Sequence, residues 1–300
     1  MKKSDVVIVV ALGVLLLLPF ASAGFFNWIT GKAPDSNPTN VYVPLGNTVP
    51  QIISVDLVSP PSPGPTEGTT TTVTISFTVY DHDDYVDVDT SGGYSLSVSK
   101  GGPSHAGSCS PGSGSGKTQS FTCTVAMDYY DSTGSWGIST AARDMSGVTA
   151  TNTTQTFGYG TLRAFTITPD NLTWGTLYPG DINVNSTNHP TILTNTGNQQ
   201  SAVELNARDL KGDTYNTYKI NANDFKVSGT DSDQCSRVAL SHAADVRVRN
   251  LDNTNLTLNY GAPPQIANVY YCLTVVNETL IKQNYTTSGN GAWTIKVVAP

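Results

Sequence analysis

The chain has 300 residues, of which 38% are hydrophobic and 13% are charged, and its formal net charge at pH 7 is -7. The charged fraction lies well below the ~25% of an average soluble domain, which disfavours long charged helices but leaves enough apolar residues for a core. The sequence contains no basic run that could neutralise phosphates, so nucleic acid is excluded as an expected partner.

The N-terminal residues predict export. Two lysines precede an apolar stretch from Val6 to Leu18, and the small residues Ala21–Ala23 then provide a site for signal peptidase. We therefore expect a signal peptide over residues 1–23. The alternative is an uncleaved anchor that extends to residue 29, because apolar residues continue there and ~20 of them span a bilayer. Both outcomes predict a secreted protein of the extracellular cell surface, with membrane contact only through this segment.

Residues 24–50 predict an extended linker. Four prolines and several turn-forming residues fall within this segment, and no helical or strand period is long enough to form a regular element. We expect it to act as a tether for the domains that follow.

Period-two alternation recurs through residues 51–159. In TTVTISFTVY, from Thr71 to Tyr80, four apolar residues share one face and hydroxyl groups the other, which is typical of a strand half-buried against a core. Turn signals separate such segments at the spacing of a sandwich. The predicted strands are 52–58, 71–80, 94–98, 120–127 and 136–142. We expect one antiparallel β-sandwich here.

A second series predicts another β-sandwich over residues 160–300. Between Asn206 and Phe225 the alternation fails, and we expect a short helix or a long loop there. The predicted strands are 162–169, 171–177, 191–195, 201–207, 244–248, 256–260, 267–276 and 293–298. The predicted fold class is therefore all-β, with two antiparallel β-sandwich domains after an N-terminal signal or anchor helix and a Pro-rich tether.

The four cysteines predict disulfide bonds, because their number is even and none lies in a CxxC pair. Three pairings are open to them. We favour Cys109 with Cys123 and Cys235 with Cys272, since the predicted domain boundary falls between these pairs.

The acidic run YDHDDYVDVDTSGG predicts a Ca²⁺ site, since carboxylate oxygens are the ligands that this cation prefers outside the cell. The candidate ligands are Asp81, Asp83, Asp87 and Asp89. Ca²⁺ is the one cofactor that the sequence indicates.

A strand over Tyr85–Thr90 is the competing interpretation of the same run. It would turn Val86 and Val88 inward and leave the aspartates between them in water. The run also opens like an EF-hand loop, but Val98 stands where that loop needs its bidentate glutamate.

Six sequons predict candidate N-glycosylation sites in an exported chain. They are Asn152, Asn171, Asn185, Asn255, Asn277 and Asn284.

Three tryptophans are candidates for a carbohydrate-stacking platform: Trp136, Trp174 and Trp293. Trp136 and Trp293 each begin a predicted strand after a turn, where packing into a sandwich core is the expected role.

Enzymatic motifs do not occur in the sequence. PGSGSGKT, from Pro111 to Thr118, lacks the first glycine, the buried strand and the helix of a phosphate-binding loop, so a hairpin loop is expected there. The four histidines are scattered, and neither HExxH nor GxSxG occurs. We therefore predict that the protein is not an enzyme.

Turn-rich segments in both halves carry a family resemblance. In DYYDSTGSWGISTAARDMSG, a tyrosine near a corner, Tyr129 or Tyr130, precedes a Gly-x-Trp strand start and the exit turn Asp144–Gly147. This pattern resembles the Ig-like β-sandwich modules of secreted prokaryotic, particularly archaeal, cell-surface proteins. In the second half, NLTWGTLYPGD and TNTGNQQSAVEL are more weakly similar to camelysin-like fibre proteins, some of which assemble. The resemblance implies Ig-like domains.

These observations predict a non-enzymatic, extracellular structural or adhesive protein of the cell surface. Its expected partners are cell-surface proteins or glycans, with self-assembly through edge strands. The alternative is a Ca²⁺-dependent carbohydrate-binding module that is accessory to an enzyme on another chain.

Overall fold

The computed structural model describes residues 41–300, apart from the side chain of residue 233. The predicted signal peptide or anchor, and the linker up to residue 40, lie outside the described residues. Residues 47–300 form one compact unit. The described residues that precede it, 41–46, are exposed and have no regular secondary structure. From residue 41 onward, no helix combines the length and the apolar character needed to cross a membrane.

The fold is all-β, as predicted, and its sheets are built from antiparallel strand pairs. The helical elements of the described range are single 3-10 turns: Tyr85–Asp87, Ala222–Asp224 and Asp231–Asp233.

The N-terminal half of the compact unit contains nine strands. They are β1 (Gln51–Ser59), β2 (Thr70–Tyr80), β3 (Tyr94–Ser99), β4 (Ser104–Ala106), β5 (Ser108–Ser115), β6 (Thr118–Asp128), β7 (Gly134–Arg143), β8 (Thr149–Asn152) and β9 (Thr156–Tyr159). One sheet has the order β1-β2-β6-β5, and the other has the order β4-β3-β7-β8, with β9 also paired to β7. The five strands predicted for this half are confirmed, with ends that differ by a few residues.

The two sheets share one buried apolar cluster, the first core. Because side chains alternate across a strand, β2 sends every second residue from Val73 to Val79 into this core, as the sequence predicts. β6 faces it with the same alternation, and the rings of Phe77 and Phe121 stack 4.9 Å apart. Trp136 of β7 is fully buried in the same cluster, which confirms its expected packing role.

The C-terminal half contains thirteen strands, and most of them are short. They are β10 (Phe165–Thr168), β11 (Ile182–Asn185), β12 (Thr191–Asn195), β13 (Ser201–Asn206), β14 (Leu210–Gly212), β15 (Lys219–Ile220), β16 (Phe225–Ser228), β17 (Val238–Ala239), β18 (Asp245–Arg247), β19 (Thr257–Leu258), β20 (Ile266–Val275), β21 (Tyr285–Thr286) and β22 (Thr294–Val298).

These strands form three sheets around a second buried cluster, the second core. In the largest sheet, β20 is the central strand of the order β10-β12-β20-β16-β17 and also pairs with β11. β13 pairs with β18, β19 and β22, and β14 pairs with β15 and β21. The final strand therefore lies in a sheet.

One prediction for this half is wrong, and another holds only in part. Residues 171–177 form no strand. The segment is irregular, but it still packs Leu172 and Trp174 against the second core. The amide of Thr173 donates to the side chain of Asn188, where a strand would donate to the backbone of a neighbouring strand. Between Asn206 and Phe225 the chain forms the β14–β15 hairpin rather than a long loop, and its helical part is one 3-10 turn.

A buried asparagine connects the segments that carry the two cores. Asn198 is 0% exposed, and its side-chain amide donates to the carbonyl oxygens of Asp131 and Gly160, both at 2.9 Å. Its Oδ1 accepts the amide hydrogen of Leu162 at 2.8 Å, and its own backbone amide donates to the Leu162 carbonyl oxygen. Nearby, Thr196 donates to the Glu67 carboxylate at 2.9 Å.

Both predicted disulfides are present. Cys109 and Cys123 occupy directly opposite positions of β5 and β6, and Cys235 is bonded to Cys272 of β20. The favoured pairing of neighbouring cysteines is thereby confirmed.

Candidate acidic site

Asp81 directly follows β2 and continues its buried face. The alternation that buries Val73 to Val79 makes Asp81 the next inward residue, and this carboxylate is 0% exposed. Its backbone amide donates to the Lys117 carbonyl oxygen at 2.8 Å, at the turn between β5 and β6. A buried carboxyl group therefore lies at the end of an apolar strand face.

Asp87 lies at the end of the 3-10 turn Tyr85–Asp87. The expected strand over Tyr85–Thr90 is wrong, since Val88 is buried but Val86 is 67% exposed. The turn rests on the β5–β6 hairpin, where the Tyr85 amide donates to the Gly116 carbonyl oxygen at 3.1 Å. A side chain at Gly114 would collide with the Tyr85 ring, so the glycine at this position lets the ring approach the hairpin.

Asp144 directly follows β7 and begins the turn to β8. Its Oδ1 accepts the Val148 amide hydrogen at 2.8 Å, and its own amide donates to the Val148 carbonyl oxygen. The turn lies against the acidic run, because the Met145 amide donates to the Asp87 carbonyl oxygen at 2.7 Å. Asn47 donates its side-chain amide to Asp144 Oδ2 at 2.8 Å.

These elements bring three carboxylates together, and we call Asp81, Asp87 and Asp144 the acidic cluster. One carboxylate oxygen from each lies within 4.8 Å of the other two. Asp81 and Asp144 are buried and Asp87 is half-buried. Oxygen donors at such spacing are suited to a hard cation such as Ca²⁺.

The pKa of Asp87 and the pKa of Asp144 are shifted in opposite directions. Burial raises the pKa of Asp87, and the negative charges of Asp81, Asp144 and Asp83 raise it further. Burial also acts to raise the pKa of Asp144, but hydrogen bonds from Asn47 and from the backbone amides of its own turn outweigh it and hold that pKa below its usual value.

The two other predicted ligands lie outside the acidic cluster. Asp83 is exposed and accepts two hydrogen bonds from Thr48, at 2.7 Å from its amide and 2.9 Å from its hydroxyl, which lower the pKa of Asp83. Asp89 accepts hydrogen bonds from Ser91 and forms an ion pair with Arg143 at 2.6 Å, and these partners lower its pKa to about 2.

Sequence reasoning missed Asp144. This residue follows a different strand and lies 57 positions after Asp87, so no local spacing could connect the two. A signal was available only for Asp81, because the alternation of buried residues along β2 predicts that Asp81 points inward with the core residues.

A second group of potential ligand atoms comprises His105, Asp128 and Asp131. Here the charges have local partners: Asp131 Oδ2 accepts the Asp128 amide hydrogen at 2.6 Å and lies 2.9 Å from His105 Nε2. The hydroxyl of Tyr159 donates to the Asp128 carbonyl oxygen at 3.2 Å. The group thus closes the β6–β7 turn.

The remaining candidates occupy ordinary structural positions. PGSGSGKT lies at the tip of the β5–β6 hairpin, as expected, but its residues up to Ser115 belong to strand β5 rather than to a loop. Trp174 and Trp293 pack edge-on against Phe225 at 5.2 and 5.0 Å, and each donates its indole N–H to a backbone carbonyl oxygen. Of the sequon asparagines, four are exposed and two are half-buried: the exposed ones are Asn171, Asn185, Asn277 and Asn284, and the half-buried ones are Asn152 and Asn255.

Comparison of the chain with protein-family models and with curated proteins finds no match.

Proposed function

We propose that the protein is an exported, non-enzymatic structural or adhesive component of the cell surface. In this proposal two Ig-like β-sandwich modules follow a signal peptide or anchor helix and a tether. The observation that carries it is the presence of two disulfides, Cys109–Cys123 and Cys235–Cys272, one in each half. Disulfides persist in oxidising compartments and are rare in the cytosol, so they support the export that the N-terminal sequence predicts.

The adhesive part of the proposal is supported by β1, the terminal strand of its sheet. Unpaired backbone groups at such an edge can accept a strand from another protein. Ile53, which is 56% exposed, and Val58 present apolar side chains along β1. Irregularities in its pairing with β2 leave a regular stretch from Ser54 to Leu57, so we expect a partner strand of about this length.

The carbohydrate-binding alternative gains no support from the tryptophans, since Trp136, Trp174 and Trp293 contact the cores and donate their indole N–H groups internally. We therefore favour proteins, including a second copy of this chain, as partners. Glycans attached to the exposed sequons would coat the second half.

Export is tested by expressing the full chain in a host that secretes it and recovering protein from outside the cells. We expect four cysteines that resist alkylation until a reductant is added, and an intact mass above that of the bare polypeptide where the host glycosylates. Protein retained inside the cell with reactive thiols would contradict the proposal.

Adhesion through β1 is tested on the exported protein by light scattering and by binding to cells of the same kind. We expect self-association or cell binding that Ile53→Lys weakens at least tenfold, because a charge on an edge strand opposes strand addition. Leu251→Lys is the matched control, since Leu251 is an equally exposed apolar residue outside the edge. Equal behaviour of the two variants would refute the role of β1.

A further inference from the structure

We propose that Asp81, Asp87 and Asp144 bind a divalent cation of the Ca²⁺ type. This inference is independent of the proposed surface function, because it concerns the stability of the first core's sheets and can fail or succeed without it.

The first argument is that three carboxylates from separate segments converge on one place. The three carboxylates come from the end of β2, from the 3-10 turn and from the turn after β7, and one oxygen of each lies within 4.8 Å of the others. Backbone hydrogen bonds fix each of them: Asp81 and Tyr85 donate to the β5–β6 turn, and Met145 donates to Asp87. Three carboxyl groups are therefore held together by backbone hydrogen bonds.

The second argument is an unsatisfied acceptor. Asp81 is fully buried; its Oδ1 accepts the Asp83 amide hydrogen at 2.9 Å, but its Oδ2 is buried without a hydrogen-bond partner in the described part of the chain. A buried carboxylate oxygen without a donor is costly, so a ligand that coordinates it stabilises the fold. A cation between the three carboxylates would supply it.

The third argument is that no basic side chain in the described part of the chain neutralises the acidic cluster. Among the described side chains, no lysine, arginine or histidine forms an ion pair with a member of the acidic cluster. Arg143, which adjoins Asp144, is bound by Asp89 instead. A buried charge of this size is stable when it is paired or coordinates a metal.

The chemistry of the donors selects the cation. The three protein ligands are carboxylate oxygens, which suit hard cations rather than zinc or copper. Asp87 is half-buried, so water can reach the cluster and complete the six to eight oxygens that Ca²⁺ takes. Mg²⁺ demands a regular octahedron and dehydrates reluctantly, so we expect weaker binding of Mg²⁺.

The competing explanation is a proton shared between two carboxylates, which would relieve the repulsion without a metal. The two explanations differ in what Ca²⁺ does to the protein. With a shared proton, added Ca²⁺ changes nothing near neutral pH; with a cation site, it binds and stabilises.

The test uses the full exported chain, stripped with EDTA and dialysed, at pH 7. We measure the heat of CaCl₂ addition and the Tm with and without ~10 mM CaCl₂ or MgCl₂. With a Kd in the extracellular range of about 10⁻⁴–10⁻³ M, Ca²⁺ is expected to raise the Tm by roughly 3–6 °C, and Mg²⁺ by less.

Two variants localise the effect. Asp87→Asn preserves the size of the side chain but removes one charged ligand, and we expect it to lose the Ca²⁺ response while melting no lower than the wild type in EDTA, because repulsion is relieved. Asp83→Asn, in the same acidic run but outside the acidic cluster, is expected to keep the response. The proposal is overturned if the wild type shows neither heat nor a Tm shift, if Asp87→Asn responds like the wild type, or if Asp83→Asn loses the response equally.

Discussion

Replacing Asn198 is expected to destabilise the protein more than any surface asparagine would. In Asn198→Ala, the carbonyl oxygens of Asp131 and Gly160 lose their shared donor, and the Leu162 amide loses its acceptor. All three bonds are made by a fully buried side chain. The substitution therefore removes the polar contacts that connect the segments leading to the two cores.

The magnitude follows from the three unsatisfied groups. A buried polar group left without a partner costs about 1–3 kcal/mol, and water that enters the space left by the amide would recover part of this. We expect a loss of about 3–5 kcal/mol in the free energy of unfolding. Asn198→Asp should lower the free energy of unfolding at least as much. Its carboxylate can accept the Leu162 amide hydrogen, but its second oxygen would repel the carbonyl oxygens of Asp131 and Gly160.

Urea unfolding followed by tryptophan fluorescence measures these changes. Trp136 reports on the first core, and Trp174 and Trp293 on the second. The control is Asn216→Ala, at an exposed position of the β14–β15 hairpin, with an expected change within about 0.5 kcal/mol. If Asn198→Ala shifts the unfolding free energy no more than this control does, the buried hydrogen bonds do not have the importance assigned to them.

Two further predictions concern other positions. Gly114→Val should lower the Tm and weaken the Ca²⁺ response together, because the new side chain collides with the Tyr85 ring and displaces the turn that carries Asp87; calorimetric titration that finds unchanged Ca²⁺ affinity would contradict this. Burial raises the pKa of Asp209, but the Ala222 amide and the Lys219 ammonium group outweigh it and lower that pKa. Asp209 therefore stabilises the fold above its unfolded pKa of about 4, and this stabilisation is lost as the pH falls through its lower folded pKa. The difference in Tm between the wild type and Asp209→Asn should accordingly be largest near pH 7 and shrink below about pH 4, and a constant difference down to pH 2 would refute the assignment.

Much of the strand content could be predicted from the sequence because burial imposes a simple period. β2 is the clearest case, since its inward residues from Val73 to Val79 are all apolar. β5 was missed because its glycines, serines and proline read as a loop, and what holds it in a sheet is its pairing with β6 and the disulfide at Cys109. A covalent bond and a strong neighbouring strand thus override weak local propensity.

The acidic site was predictable only in part. The density of aspartates indicated the right region, and Asp81 and Asp87 do meet. Ser91, one partner of Asp89, is local. Thr48, which binds Asp83, and Arg143, which also pairs with Asp89, come from distant parts of the sequence and could not be inferred from spacing. The same is true of Asp144, because strand order decides which turns become neighbours.

The Cys109–Cys123 disulfide has a consequence for the acidic cluster. It crosslinks the same hairpin whose turn carbonyl oxygens hold the amides of Asp81 and Tyr85. If the acidic cluster binds Ca²⁺ as proposed, reduction of this disulfide is expected to weaken that binding, because one covalent crosslink in the supporting hairpin is lost. The redox state of one cysteine pair and the cation affinity of a distant set of carboxylates would then be linked through the same two strands.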